Sequence, residues 1–498
     1  MQNSRSLTAA GNARPVRRQG RSYLGLTGGF AIGLCFIGGA GSARADILAQ
    51  FQGSNVVDAG FVWPPDMGGA VGPAGVVQFV NGAFADYNSH GTLQAPRITD
   101  SAFWLAAGIS SSIVTPGVAD PRIIYDPGSG RFFASEISVG NGTNANQVLL
   151  AVSNDSNPLH GFKATSFDSS PGQFADRPTL GVNGDSVTIG FNDFNPLITG
   201  VSIFSIPKSD LTSGSPTTAN MTRFDNLPLT QGFTPQAATG AAINGTTILG
   251  VDVVNQSSAI IKSTITGAGG ASAALSGPSD IASISSGVPS PGRQPAPGAP
   301  GIDPGDNQIS ADVVQVGNNV FFSRAVAGAS GDAIQWGVLN ITTDNFVSQG
   351  LIQSANTDYL YPAIAANGAG VFVIGFNGSS ASQNISGYWV SCTIMAGCGA
   401  PSLAFAGLSD DYDITSLTPL NRWGDYNWAT VDPMNPNDFW LFQQYPMAGQ
   451  FEGLSEWGTV ITEVSAAVPE PTTFTLLSTF FAGLGLVRLR SRRRSEAS

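Results

Sequence analysis

The chain has 498 residues, with 34 acidic against 22 basic side chains and a formal net charge of −12. Six basic residues lie before residue 46 and five after residue 487, which leaves 11 against 32 carboxylates in residues 46–469, a net charge near −21. A body this acidic repels nucleic acid and anionic lipid, so neither is expected as its partner. That region also has only Lys163, Lys208 and Lys262 as lysines and is rich in Gly, Ser, Thr, Asn, Val, Ile and Phe, a composition that argues for an all-β fold.

The first element is a leader. Arg5, Arg14, Arg17, Arg18 and Arg21 precede an apolar, glycine-rich segment over residues 23–40, and Ala43-Arg44-Ala45 ends it in the small-x-small pattern that signal peptidase requires. Residues 1–45 therefore read as a signal peptide, with the mature chain starting at Asp46. Gln19-Gly20-Arg21 lacks the apolar residues expected after a twin-arginine pair, which favours general secretion, and Leu34 before Cys35 argues against a lipoprotein. Export leaves Cys392 and Cys398, with five residues between them, in an oxidising compartment to form a local disulfide. A redox pair or zinc site needs other spacing and more histidine than His90 and His160.

Residues 46–466 repeat one pattern: an apolar segment, a tight Gly/Asn/Asp turn and a second apolar segment. Asp120-Pro-Arg-Ile-Ile-Tyr-Asp-Pro-Gly-Ser-Gly-Arg-Phe-Phe-Ala134 and Tyr361-Pro-Ala-Ile-Ala-Ala-Asn-Gly-Ala-Gly-Val-Phe-Val-Ile-Gly375 are two of seven such hairpins, which start near 70, 120, 176, 235, 310, 361 and 423. Spacings of about 50 to 75 residues hold a four-stranded unit, and self-similarity at that period marks a propeller. The expected fold is a single β-propeller of four-stranded antiparallel blades, seven rather than six or eight, with a β-sandwich pair as its rival. Outer strands are expected after each hairpin, the last over residues 458–464. Residues 267–306, rich in Gly, Ser and Pro, read as an irregular insertion between blades.

Aligning the hairpins places Asp66, Asp120 with Arg122, Asp176 with Arg177, Gln236, Asp306, Asp358, and Arg422 with Asp425 at the starts of first strands. In a propeller those starts gather at one mouth of the central channel. Two readings stay open: a ring of ion pairs and turn caps with Trp423 and Tyr426 as core, or a polar pocket for a sugar or a metal ion. Asp120, Arg122, Asp176, Arg177, Arg422, Asp425 and Tyr426 are the catalytic candidates if the second holds. No organic cofactor is implied. Calcium is open through two oxygen-rich clusters, Asp303/Asp306/Asp312 and Asp410/Asp411/Asp413, although neither fits the Asp-x-Asp-x-Asp-Gly loop.

Pro64-Pro-Asp66, Asp120-Pro-Arg122, Asp303-Pro-Gly-Asp306, Tyr361-Pro-Ala-Ile364 and Arg422-Trp-Gly-Asp-Tyr426 together resemble a group of secreted bacterial propellers related in fold to sialidases. Sialidase chemistry would require an arginine triad, a tyrosine nucleophile paired with an acid, and an aspartate acid/base. The body holds eight arginines and no Ser-x-Asp-x-Gly-x-Thr-Trp turn.

The last element is Val468-Pro469-Glu470-Pro471, then an apolar run over residues 472–487 and Arg488, Arg490, Arg492, Arg493 and Arg494. As a helix the run is about 24 Å long, just short of the ~30 Å hydrocarbon core and extended by snorkelling arginines. Residues 467–498 resemble the PEP-CTERM tail of Gram-negative bacteria that make exopolysaccharide. The resemblance implies transient membrane insertion, cleavage by an exosortase near the Pro-Glu-Pro, and release to the cell surface, outer envelope or matrix. A plain membrane anchor is the rival. The expected function is a non-enzymatic binding or structural propeller associated with exopolysaccharide or envelope. A glycoside hydrolase or lyase at the channel mouth, sialidase-like if a glycosidase, is the alternative.

Overall fold

A computed structural model of the protein describes residues 46–140 and 145–466. The leader and the sorting tail lie outside them. No helix among the described residues is long and apolar enough to cross a membrane.

The chain is built of antiparallel sheets, mostly four-stranded, laid down one after another. The first has three strands, Gly68–Gly72, Gly75–Val80 and Ala83–Tyr87. The second (Val118–Asp126, Arg131–Ser138, Gln147–Ser153, Phe162–Asp168) and the third (Phe174–Val182, Ser186–Phe194, Ile198–Pro207, Thr222–Leu227) have four each. The fourth sheet opens with Phe233–Gly240 and the fifth with Val313–Val316. These two strands pair in parallel through Ala238–Val313 to Gly240–Gln315 and fuse the sheets into one. The sixth opens with Asp358–Ala366 and the seventh with Trp428–Val431. Each opening strand lies beside the opening strands of the sheets before and after it, and that of the seventh lies beside that of the first, so the succession returns to its start.

The opening strands are flanked on both faces, which is why they are apolar without alternation. Every residue of Asp358–Ala366 and of Gly68–Gly72 is buried. Close approach between sheets selects glycine: a Cβ on Gly69 would meet the Phe442 ring at 2.4 Å, and one on Gly190 would meet the Pro235 carbonyl at 2.3 Å. Cys392 and Cys398 are joined, closing the turn after strand Gln383–Thr393.

Three features depart from the sequence reading. The first sheet has no fourth strand. Beside Ala83–Tyr87 the chain makes only isolated bridges, Tyr87 to Leu93 and Phe84 to Ile98, and then a short helix, Asp100–Ala106, capped by the Thr99 side chain, which sinks Phe103 and Trp104 among Phe79, Phe84 and Phe132. The outer strand of the seventh sheet is Asp46–Asn55, paired with Leu454–Ser465; the 458–464 segment is thus the third strand of its sheet. Finally, residues 267–306 are not wholly irregular. Ala274–Leu275 and Ser279–Ile281 extend the fourth sheet beside Ile260–Thr266, and the remainder is fixed by polar ties. In these, Arg293 forms a two-pronged pair with Asp358, and Gln294 donates to the carbonyls of Pro300 and Tyr412.

Candidate functional site

Four opening strands share a local device. Asp120, Arg177, Thr234 and Tyr361 each have a positive φ, between 51° and 64°, and each is followed by proline. Proline has no N–H for the ladder, so the strand skips a pair and bulges. Register shifts fall there in all four sheets. A non-glycine residue held at such a φ costs about 1–3 kcal/mol and persists only where its surroundings over-determine it.

The surroundings do so across sheets, in both directions. The N–H of Asp120 donates to Asn81 Oδ1 (2.9 Å), that of Arg177 to Asp120 Oδ2 (3.0 Å), and that of Thr234 to Asn192 Oδ1 (2.9 Å). The freed prolyl carbonyls are taken as well. Pro121 accepts from the Tyr426 hydroxyl (2.9 Å), Pro178 from Arg122 Nε (3.0 Å) and Pro235 from Thr179 Oγ1 (2.7 Å). The first four sheets are thereby stitched in succession, and Tyr426, at the entry to the seventh, is tied to the second.

The stitches converge on a charged hub. Asp66, Asp120 and Asp425 each place a carboxylate oxygen within 4.8 Å of the others and are buried. Asp66 accepts from the Asp425 N–H and from Asn81 Nδ2. Asp425 sits between two arginines: Arg177 Nε is 3.4 Å from Oδ2, and Arg422 Nη2 donates to Oδ1. Arg122 lies flat over Tyr426, 3.4 Å from its ring centre, with Trp428 beyond.

Burial, with Asp425 and Asp120 close by, pushes Asp66 up to about 8. Burial, with Asp176 and Asp425, pushes Asp120 to about 7. Half-buried Asp176 is raised to about 6, mainly by desolvation. Burial also works to raise Asp425, but Arg177 and Arg422 outweigh it and hold the group below the ordinary aspartate value. At neutral pH the triad therefore carries a proton on Asp66 while Asp425 stays ionised. The same three oxygens are close enough to hold a metal ion. Calcium, however, takes six to eight oxygens, and here the Asp66 and Asp425 oxygens already accept hydrogen bonds.

All seven catalytic candidates meet at this hub, together with Asp66. The other residues aligned at strand starts do not. Gln236 donates to the Ile309 carbonyl (2.8 Å), tying the fourth sheet to the chain that enters the fifth, and Asp358 pairs with Arg293. The two calcium clusters do not assemble. Asp303 caps Gly305 and accepts the Tyr361 hydroxyl on its carbonyl, Asp306 borders a separate cavity with Phe194 and Phe233, and Asp312 lies at another. Asp413 caps Thr415, and the carbonyls of Asp410 and Asp411 accept from Ala296 and Ser455. Neighbours in sequence are dispersed here because successive residues of an extended chain point to opposite sides. Asn81 and Tyr361 were missed as hub residues; Asn81 reads only as the first half of an Asn-Gly turn.

At the ends of the opening strands away from the hub there is open space. A cavity of about 410 Å³ is bordered by Val71, Ile124, Thr239, Val314, Ala365 and Trp428, one residue from each of six opening strands. An adjoining cavity of about 510 Å³ shares Tyr125, Gly240 and Ala366 with it and reaches Val182 of the remaining opening strand, that of the third sheet.

No protein-family model matches the chain, and no curated protein matches it. Several solved structures align along most of its length. A Dyadobacter fermentans protein of unknown function is 9% identical over 70% of this chain and 94% of its own, at a TM-score of 0.39. An alpha-L-arabinanase of Penicillium chrysogenum complexed with arabinobiose is 9% identical over 85% and 99%, at 0.39. The alpha-L-arabinofuranosidase Arb93A of Fusarium graminearum is 8% identical over 86% and 98%, at 0.37. The chain itself is an all-β protein of successive antiparallel sheets with a buried Asp/Arg hub.

Proposed function

We propose that the chain is an exported seven-bladed β-propeller that serves as a non-catalytic binding protein of the cell surface or extracellular matrix. The closed succession of seven opening strands, and two linked cavities bordered by all seven, support the propeller. Export rests on the leader, and release on the PEP-CTERM-like tail at Val468, Pro469, Glu470 and Pro471.

One observation carries the non-catalytic reading: the hub carboxylates are built into the fold. Asp66 and Asp120 accept backbone N–H groups of neighbouring sheets, and Asp425 is clasped by two arginines. Glycosidase carboxyls stand ~5 to 9.5 Å apart across an open cleft. The triad oxygens are closer than that and buried. Pull-down of the mature protein by exopolysaccharide, with no sugar released, is the expected result. The mass of the processed C-terminus should end close to Pro469; an intact arginine-rich end would mean a permanent anchor.

A second reading has one observation in its favour. An acid raised to about 7 beside a carboxylate held low, Asp120 beside Asp425, is the pairing that divides acid from base in hydrolases. Reducing-sugar release that is lost in Asp425→Asn, with the variant still folded, would establish it and displace the first.

A further inference from the structure

At the cavity opposite the hub, one polar group stands out. Asp312 is 6% exposed, borders the 410 Å³ cavity, and accepts no hydrogen bond on Oδ1. A buried acceptor without a donor costs about 1–3 kcal/mol, more if charged. Arg122, the cation that acts on it most, donates through Nε and Nη1 to the carbonyls of Pro178 and Ser310 and makes no hydrogen bond to Asp312; its Nη2 is without a partner as well. The other charged groups bordering the two cavities are occupied. Lys208 holds Asp126 at 2.8 Å, and Asp432 accepts from Trp440 Nε1 and from the N–H groups of its own turn. The walls facing Asp312 are Val71, Ile124, Val314, Ala365 and the Trp428 ring.

We propose that this cavity is a binding site for a small organic ammonium, its apolar body among those walls and its ammonium group on Asp312. A volume of this size lies within the range of small-ligand sites, and an apolar cleft with one placed polar group is their usual composition. The charge selects the class. A carboxylate ligand would face Asp312 directly, and a sugar would bring many hydroxyls into a mainly apolar lining whose other polar side chains are Tyr125, Thr239, Gln315, Thr430 and Asp432. The body's excess of 32 carboxylates over 11 basic groups draws cations toward it. Burial holds the Asp312 carboxyl at about 7, so an incoming ammonium also favours its ionised form. The inference uses neither the export reading nor the hub, and its failure leaves both standing.

Isothermal titration of the full-length protein with benzylammonium chloride at pH 8, against isosteric benzyl alcohol, tests the proposal. Benzylammonium should bind at one site, with benzyl alcohol at least tenfold weaker. Asp312→Asn should weaken benzylammonium at least tenfold, and Thr430→Phe, which fills the rim without touching the carboxylate, should abolish binding. Thermal melts establish that each variant is folded, and if Asp312→Asn is not, the alcohol comparison and Thr430→Phe decide. No binding of benzylammonium, equal affinity for the alcohol, or unchanged affinity in a folded variant would overturn the assignment.

Discussion

Replacing Arg177 by methionine isolates the electrostatics of the hub. The side chain is 11% exposed and its Nε lies 3.4 Å from Asp425 Oδ2, so the substitution leaves a buried carboxylate with one of its two arginines. It also removes the 3.1 Å bond from Nη2 to the Asp425 carbonyl but keeps the backbone N–H that Asp120 accepts. Breaking a buried pair from one side costs about 3–5 kcal/mol, and because Arg422 remains, the low end applies. At about 1 °C per kcal/mol for a domain of this size, the midpoint should fall by about 3 °C. Asp425 has a folded pKa below its unfolded value, so its contribution is present above pH 4 and lost as pH falls through the depressed value. The deficit of Arg177→Met should therefore be full at pH 7 and shrink toward acid. Circular-dichroism melts of Arg177→Met, Asp425→Asn and the double variant would give a coupling of about 1–3 kcal/mol. A coupling near zero, or a deficit equal at both ends of the pH range, would mean that lost packing and not charge explains the cost, and the account of the hub would fail.

Asp66→Asn should flatten the pH dependence of stability. The native carboxyl is raised to about 8, so it favours folding fully below pH 4 and loses that contribution as pH climbs toward 8; melts across this window should decline for the native protein and less for the variant. Because protons and arginines already balance the triad, millimolar calcium against EDTA should move the midpoint by less than about 1 °C; a rise of several degrees would mean that an ion binds there. Reducing the Cys392–Cys398 bond opens a loop with a separation of 6, for which chain entropy gives about 2 kcal/mol, seen as a small drop in midpoint with dithiothreitol.

The hairpins were legible because their two strands are adjacent in sequence and their turns carry Asn-Gly or Asp-Pro-x-x-Gly signals. Asp46–Asn55 was not, since its partner Leu454–Ser465 lies some 400 residues away and half of its side chains face solvent. Likewise the helix Asp100–Ala106 is held by tertiary contacts: Trp104 packs on Phe79 and donates to buried Glu136. At the hub, strand-start alignment brought all seven candidates to one place because opening strands run in the same direction. It failed for Gln236, tied to the Ile309 carbonyl, for Asp306, which lies in the loop before its strand, and for Asp358, which Arg293 holds. The Xaa-Pro pairs at 120, 177, 234 and 361 stood in plain view. Proline inside a strand signals an edge or a bulge, and only the cross-sheet bonds tell which.

The pairing of Asp46–Asn55 with Leu454–Ser465 has a consequence for biogenesis. The earliest segment to emerge from a translocon or ribosome has no resting place until nearly the last one follows. Vectorial synthesis can fold inner sheets in turn, but the final seam waits for the whole body to arrive. Until then the nascent protein remains an open crescent with two sticky borders, and holding those borders apart is the task left to whatever chaperone receives it.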